Sequence, residues 1–285
     1  MAVNARQFSL VCLYSAVSGL GCSRSVDVEA QGRLTAPLDN DLTRARVEPT
    51  DTVVPTRGRT RVAAGTQSPV ALVELFTSEG CSSCPSADRV LSRIEDWREQ
   101  SGSNVITLAF HVDYWNRLGW RDRFSDRVYS DRQRWYAMHK PEPRVYTPQM
   151  IVQGTGEFIG SHEAEIRRAI GGALDQPMKV NLRLEATPLE QGAWEVHYQV
   201  EPARAADHLS LALVQHLATT EVAAGENAGE TLTHVNVVLD YANKHVDGGR
   251  GSWRVQPPRG EVTTAVLFVQ DPTDLSVVGA NRLAL

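Results

Sequence analysis

The sequence predicts two folded parts of different class: an α/β domain with a helical insertion over residues 69–175, then an all-β, sandwich-like domain over 176–285. Three observations carry this. Two apolar runs flank an amphipathic stretch that opens with Cys81-Ser-Ser-Cys84-Pro85. A hairpin and a second helical pattern follow an arginine- and aromatic-rich insertion, and from Met178 the hydrophobic period falls to two. The length of 285 residues accommodates one large domain or two modest ones. At 42% apolar and 22% charged, the chain has enough hydrophobic surface to exclude disorder throughout. The net charge is -5 and no segment is basic enough to suggest nucleic-acid binding. Four cysteines, Cys12, Cys22, Cys81 and Cys84, are too few for a disulfide-dense scaffold.

Taken in order, Arg6 precedes the largely apolar run Phe8–Leu20, which is too short to span a bilayer and resembles the core of a signal peptide over residues 1–22. The run ends in Gly19-Leu20-Gly21-Cys22, which resembles a bacterial lipobox with Cys22 as the lipid-attachment site. Leu20 stands one place late for that motif, so ordinary signal cleavage is the alternative. Residues 23–68 lack aromatic side chains, alternate in charge and carry Pro37, Pro49 and Pro55, so they read as a disordered linker. The expectation is an exported, lipid-anchored protein of the bacterial cell envelope or periplasm.

Val70-Ala-Leu-Val-Glu-Leu-Phe76 reads as a buried strand, and Ala87, Val90, Leu91, Ile94 and Trp97 recur at helical spacing after it. That places Cys81 at a helix N-terminus, where unsatisfied N–H groups and the helix dipole favour thiolate over thiol. Cys81 is therefore the candidate nucleophile, and Cys84, one turn in, the resolving thiol. A disulfide closing so short a loop contributes only about 1.9 kcal/mol, against about 4.7 for a loop of 100 residues, which argues for redox chemistry over a staple. Metal binding and an inert bridge stay open. Asn104-Val-Ile-Thr-Leu-Ala-Phe-His111 is a second apolar strand, joined by a parallel crossover. Arg144–Val152 and Glu157–Ile159 read as a hairpin entered through Pro148, and a helix follows from Ser161 with Ile166, Ala169, Ile170, Ala173 and Leu174 on one face.

This order resembles the thioredoxin fold, and Thr147-Pro148-Gln149 resembles glutaredoxins, which implies a thioredoxin-like domain over 69–175. The resemblance further implies that Pro148 is cis and abuts the cysteines, and that Thr147 offers its backbone to an extended substrate. Glu74-Leu-Phe-Thr-Ser-Glu-Gly-Cys-Ser-Ser-Cys-Pro85, His111-Val-Asp-Tyr-Trp115 with Gly119-Trp120, Tyr146-Thr-Pro-Gln-Met150 and Gly225-Glu-Asn-Ala-Gly229 resemble the exported bacterial family known as domain of unknown function number 1223.

Glu74 matches the buried acid that thioredoxins hold beneath their cysteines, with the role of deprotonating Cys84. His111 and Asp113, ending the second strand, are candidates for the substrate groove. The insertion over 116–140 interleaves six arginines with aromatics and aspartates and reads as packed, solvated helix without a catalytic role. After Pro177, Met178, Val180, Leu182, Leu184 and Ala186 alternate with polar residues, and further runs at 194–200, 209–217, 231–239, 252–255, 261–270 and 276–283 suggest an antiparallel sandwich. Five histidines here, including His234, read as ordinary strand residues.

The functional expectation is a thiol–disulfide oxidoreductase with a redox-active Cys81–Cys84 disulfide and no other cofactor. Its expected partners are protein or peptide thiols and disulfides and a redox partner, without nucleic acid. The alternatives are a copper or zinc binding protein using the same cysteines, or a non-catalytic interaction module with a structural bridge.

Overall fold

Strand β1 (Arg61–Ala63) pairs antiparallel with β6 (Asn181–Pro188), which in turn pairs with β7 (Trp194–Glu201), and β7 with β10 (Arg250–Val255), giving a four-stranded sheet in the order β1-β6-β7-β10. The computed structural model describes residues 59–65, 67–256 and 262–285. The predicted signal segment, Cys22 and residues 23–58 of the predicted linker lie outside them. β1 belongs to the stretch predicted as linker, and its three residues face Leu184–Ala186 across the ladder.

The second sheet has eight strands. Its N-terminal members are β2 (Ala71–Thr77), β3 (Val105–His111), β4 (Gln149–Val152) and β5 (Gly156–Ile159). From the C-terminal part come β8 (His208–Glu221), β9 (Thr231–His245), β11 (Thr264–Gln270) and β12 (Val277–Ala284). The order is β12-β11-β8-β9-β3-β2-β4-β5. β3 runs parallel to β2 on one side and meets β9 in parallel on the other, with Ala109 opposite Val237. The sheet is thus continuous across the 175/176 junction.

Alternation along β2 decides what each face meets. Ala71, Val73 and Leu75 point towards α1 (Cys84–Ser101) and α3 (Glu163–Leu174), forming a core with Ala87, Val90, Leu91, Ile94, Ile166 and Ile170. Leu72 and Phe76 point the other way, joining Phe110, Tyr129 and Tyr136 of α2 (Arg127–Met138) and Phe268. The four-stranded sheet packs its Leu182, Leu184, Val196 and Val200 against Leu209, Leu211, Leu267 and Val269. α1 ends on Gly102, whose φ of 68° lets its N–H return to the Arg98 carbonyl. α2 begins at Asp126, whose side chain accepts from the Val128 N–H.

Candidate functional site

β2 delivers the chain into the turn Ser78–Gly80, and Cys81 and Cys84 form a disulfide at its far side. Two successive turns, Cys81 N–H to the Ser78 carbonyl and Cys84 N–H to the Cys81 carbonyl, precede α1, with Pro85 setting the first helical turn. The helix therefore starts at Cys84, and Cys81 stands three residues before it rather than at its first position. Thr147 Oγ1 donates to Cys81 Sγ at 3.3 Å and itself accepts from Trp115 Nε1 at 2.8 Å. The Thr147–Pro148 bond is cis. A cleft of about 400 Å³ opens beside the bridge, lined by Ser82, Ser83, Pro85, Arg89, Thr147 and Pro148 among others.

Both cysteines are fully buried, at 0% exposure, although Cys81 is the candidate nucleophile. The tip of the β8–β9 hairpin accounts for part of this cover. Asn227 Nδ2 donates to the carbonyls of Glu79 (2.8 Å) and Cys81 (3.0 Å), and Glu226 Oε2 accepts from the Ser82 N–H at 3.0 Å. Gly225-Glu-Asn-Ala-Gly229 is therefore a contact to the cysteine turn, made from a strand pair far along the chain.

Of the other predicted site residues, only Thr147 and Pro148 line the cleft. Glu74 lies on the face of β2 that meets α2, away from α1, and Arg132 grips it bidentately at 2.6 and 2.8 Å. Tyr136 also donates to Glu74, and Tyr241 and Gln270 accept from Arg132. Burial opposes the charge of Arg132, but Glu74 outweighs it and its pKa is raised. The residues of β2 that face α1 are the odd-numbered ones, and Thr77 accordingly donates to Asp88 of that helix. Asp113 is taken by Ser130 of α2, whose hydroxyl donates to it at 2.5 Å.

His111 is buried away from the cleft, with Nδ1 2.7 Å from Asp122 Oδ2. Burial lowers its pKa, yet Asp122, Asp88 and Glu79 together raise it above the ordinary 6.5. Asp122, raised by burial but lowered more by His111 and by the Glu79 and Phe124 N–H groups, falls below 3.8. The two signs define a window. The His111 contribution to stability is complete below pH 6.5 and lost as pH rises through its folded value; that of Asp122 is complete above pH 3.8 and lost as pH falls through its folded value. Denaturant unfolding followed against pH should show stability falling above pH 6.5, and His111→Asn should flatten that alkaline limb.

Glu79, Asp88, Asp122 and Arg132 have no role assigned from the sequence, Asn227 appears there only within the Gly225–Gly229 string, and His234 is read as an ordinary strand residue. Two carried a signal: Asp88 interrupts the apolar stripe of α1 between Ala87 and Val90, and His234 occupies a buried-phase position of β9 beside Leu232. For Arg132 the local pattern holds none.

These features define a mixed α/β protein with a Cys-x-x-Cys disulfide where a strand hands over to a helix, next to a cleft. The family described as protein of unknown function (DUF1223) matches residues 72–270, and the chain belongs to it. Among solved structures, protein AGR_C_4864 from Agrobacterium tumefaciens is similar at 24% identity, covering 76% of this chain and 95% of that one with a TM-score of 0.56, a likeness of fold. None of the curated proteins matches the chain.

Proposed function

We propose that the chain is a thiol–disulfide oxidoreductase of thioredoxin-like type, acting on protein or peptide thiols and disulfides, with Cys81 as nucleophile and Cys84 as resolving thiol. The observation that carries this reading is the Thr147 hydroxyl on Cys81 Sγ at the head of the cleft. A structural staple has no use for a donor on its sulfur or for an adjoining groove, whereas an attacking or leaving Cys81 thiolate is stabilised by such a donor. The run β3-β2-β4-β5, with α1 and α3 on one face and α2 on the other, supports the thioredoxin-like assignment. The sequence of residues 1–22 supports export with anchoring through Cys22, so the proposed place of action is the cell envelope.

With glutathione disulfide as probe, Cys84→Ser should trap a mixed disulfide on Cys81 and Cys81→Ser should trap none. Equilibration of the parent protein in glutathione buffers should give a potential above about -300 mV. A pair that stays oxidised throughout, with no trapping by either variant, would leave the bridge a structural one.

A further inference from the structure

The cleft beside the disulfide is uneven in its chemistry. Pro85, Pro148 and Ile159 give it apolar walls, and Ile159 keeps 46% of its surface exposed. Tyr146 is neutral there, its pKa pushed up to about 12 by burial and by Glu157. The hydroxyls of Thr147 and four serines make up the remainder, apart from Arg89. Arg89 is the one charged side chain that lines the cleft.

Arg89 is exposed, and none of the ion pairs among the described residues includes it. Pro85, Ser86 and Arg89 recur at three- and four-residue spacing on α1 and share one face, with Arg93 a turn further on. Arg93 takes Glu163 at 2.6 Å, and Glu163 also holds Arg167 at 2.8 Å, so the carboxylate that α3 offers this face is already shared by two guanidiniums. Two other carboxylates border the region and are engaged: Glu226 accepts from the Ser82 N–H, and Glu157 from Gln149 Nε2. Neither lines the cleft. A guanidinium is always charged, and a charge at the rim of a binding site selects partners by sign. Arg89 stands five residues beyond Cys84 on α1. That is about 7.5 Å along the helix axis, the span of about two residues of extended chain.

We propose that the cleft takes an extended peptide with an acidic side chain two residues from its reactive cysteine, and that Arg89 selects it by pairing with that carboxylate. The proposal rests on the thiol–disulfide reading above and names the substrate class of that same site. In the reaction that Arg89 steers, the Cys81 thiolate of the reduced protein attacks one sulfur of a peptide disulfide. An S–S bond forms to Cys81, the peptide S–S bond breaks, and its electron pair leaves on the second peptide sulfur. Cys84, as thiolate, then attacks Cys81 Sγ, re-forms the bridge and releases the first peptide sulfur as thiolate. The protein dithiol is oxidised, one peptide disulfide is reduced to two thiols, and the two protons pass from the dithiol to the peptides through solvent. Arg89 determines specificity and takes no part in the electron transfer.

The test oxidises the reduced full chain with an excess of two symmetrical peptide disulfides, one of Glu-Ala-Cys-Ala-Glu and one of Lys-Ala-Cys-Ala-Lys, and follows the rate by acid quench and alkylation. Bis(2-hydroxyethyl) disulfide, which is uncharged, is the control on the parent protein. Neighbouring charges also change the intrinsic reactivity of a peptide disulfide, so the quantity compared between proteins is the acidic-to-basic rate ratio, in which that reactivity cancels. The ratio should fall roughly fivefold in Arg89→Ala and further in Arg89→Glu. The preference of the parent should also shrink as salt rises from about 0.01 M to about 1 M, where the Debye length drops from about 30 Å to about 3 Å. A parent protein that the control oxidises, with one and the same ratio in all three proteins, overturns the proposal and leaves the oxidoreductase reading standing. A parent protein that no disulfide oxidises overturns both. Because the ratio is taken within each protein, a smaller folded fraction in a variant cancels.

Discussion

Arg132→Leu is expected to cost about 3–5 kcal/mol of stability, the usual loss when one member of a buried ion pair is removed and the other stays. Arg132 is 2% exposed, and its guanidinium spends its donors on Glu74, Tyr136, Tyr241 and Gln270. Without it, the Glu74 carboxylate is left in a core of Phe76, Phe110 and Phe268 with only the Tyr136 hydroxyl donating to it. Pairing Arg132→Leu with Glu74→Leu removes both charges and should recover part of the loss, since an apolar pair often matches a buried ion pair. Recovery should be incomplete, because Gln270 Oε1 loses its donor and the Tyr241 hydroxyl keeps only Ser210. Urea unfolding of the single and double variants checks this, and an Arg132→Leu protein within about 1 kcal/mol of the parent would show that the buried pair contributes little to the fold.

The network shows why the sequence revealed some features and concealed others. Period-two alternation located β6, apolar runs between turn residues located β7 and β8, and the helical stripe after Cys84 located α1, because each signal lies within a single element. Sheet partnership is not local: nothing in Thr231–His245 announces that Val237 will sit beside Ala109, so a strand read as part of a separate sandwich extends the sheet that carries the cysteines. Site chemistry follows the same division. The Cys-x-x-Cys string and Thr147-Pro148 were legible as strings. The orientation of Glu74 depended on which face of β2 meets α1, and Arg132 became its partner only through the packing of α2. The same β9 crossover brings His234 to the cysteine turn, where a histidine in an alternating strand otherwise reads as incidental.

Asn227→Ala should speed reduction of the Cys81–Cys84 disulfide by a small thiol by roughly tenfold or more. Asn227 is 7% exposed and its amide makes two hydrogen bonds that hold the hairpin tip onto the carbonyls flanking the turn, each contributing about 1 kcal/mol. With Cys81 at 0% exposure, an attacking sulfur needs its cover displaced, and the population of the uncovered form scales with the free energy that holds the tip down. A loss of about 1.4 kcal/mol from that contact is a factor of ten in uncovered protein. Gly225→Ala should act in the same direction by another route, because φ at Gly225 is 80° and an added Cβ would stand 2.9 Å from the Trp120 Cβ. Displacing Trp120 disturbs its 2.8 Å bond to Glu79 Oε2, the carboxylate that His234 approaches. Both variants loosen the hairpin tip over the cysteine turn and should raise the rate. Stopped-flow reduction by dithiothreitol measures both, and an unchanged rate in Asn227→Ala would show that thiols reach Cys81 from the Thr147 side of the cleft without moving the hairpin.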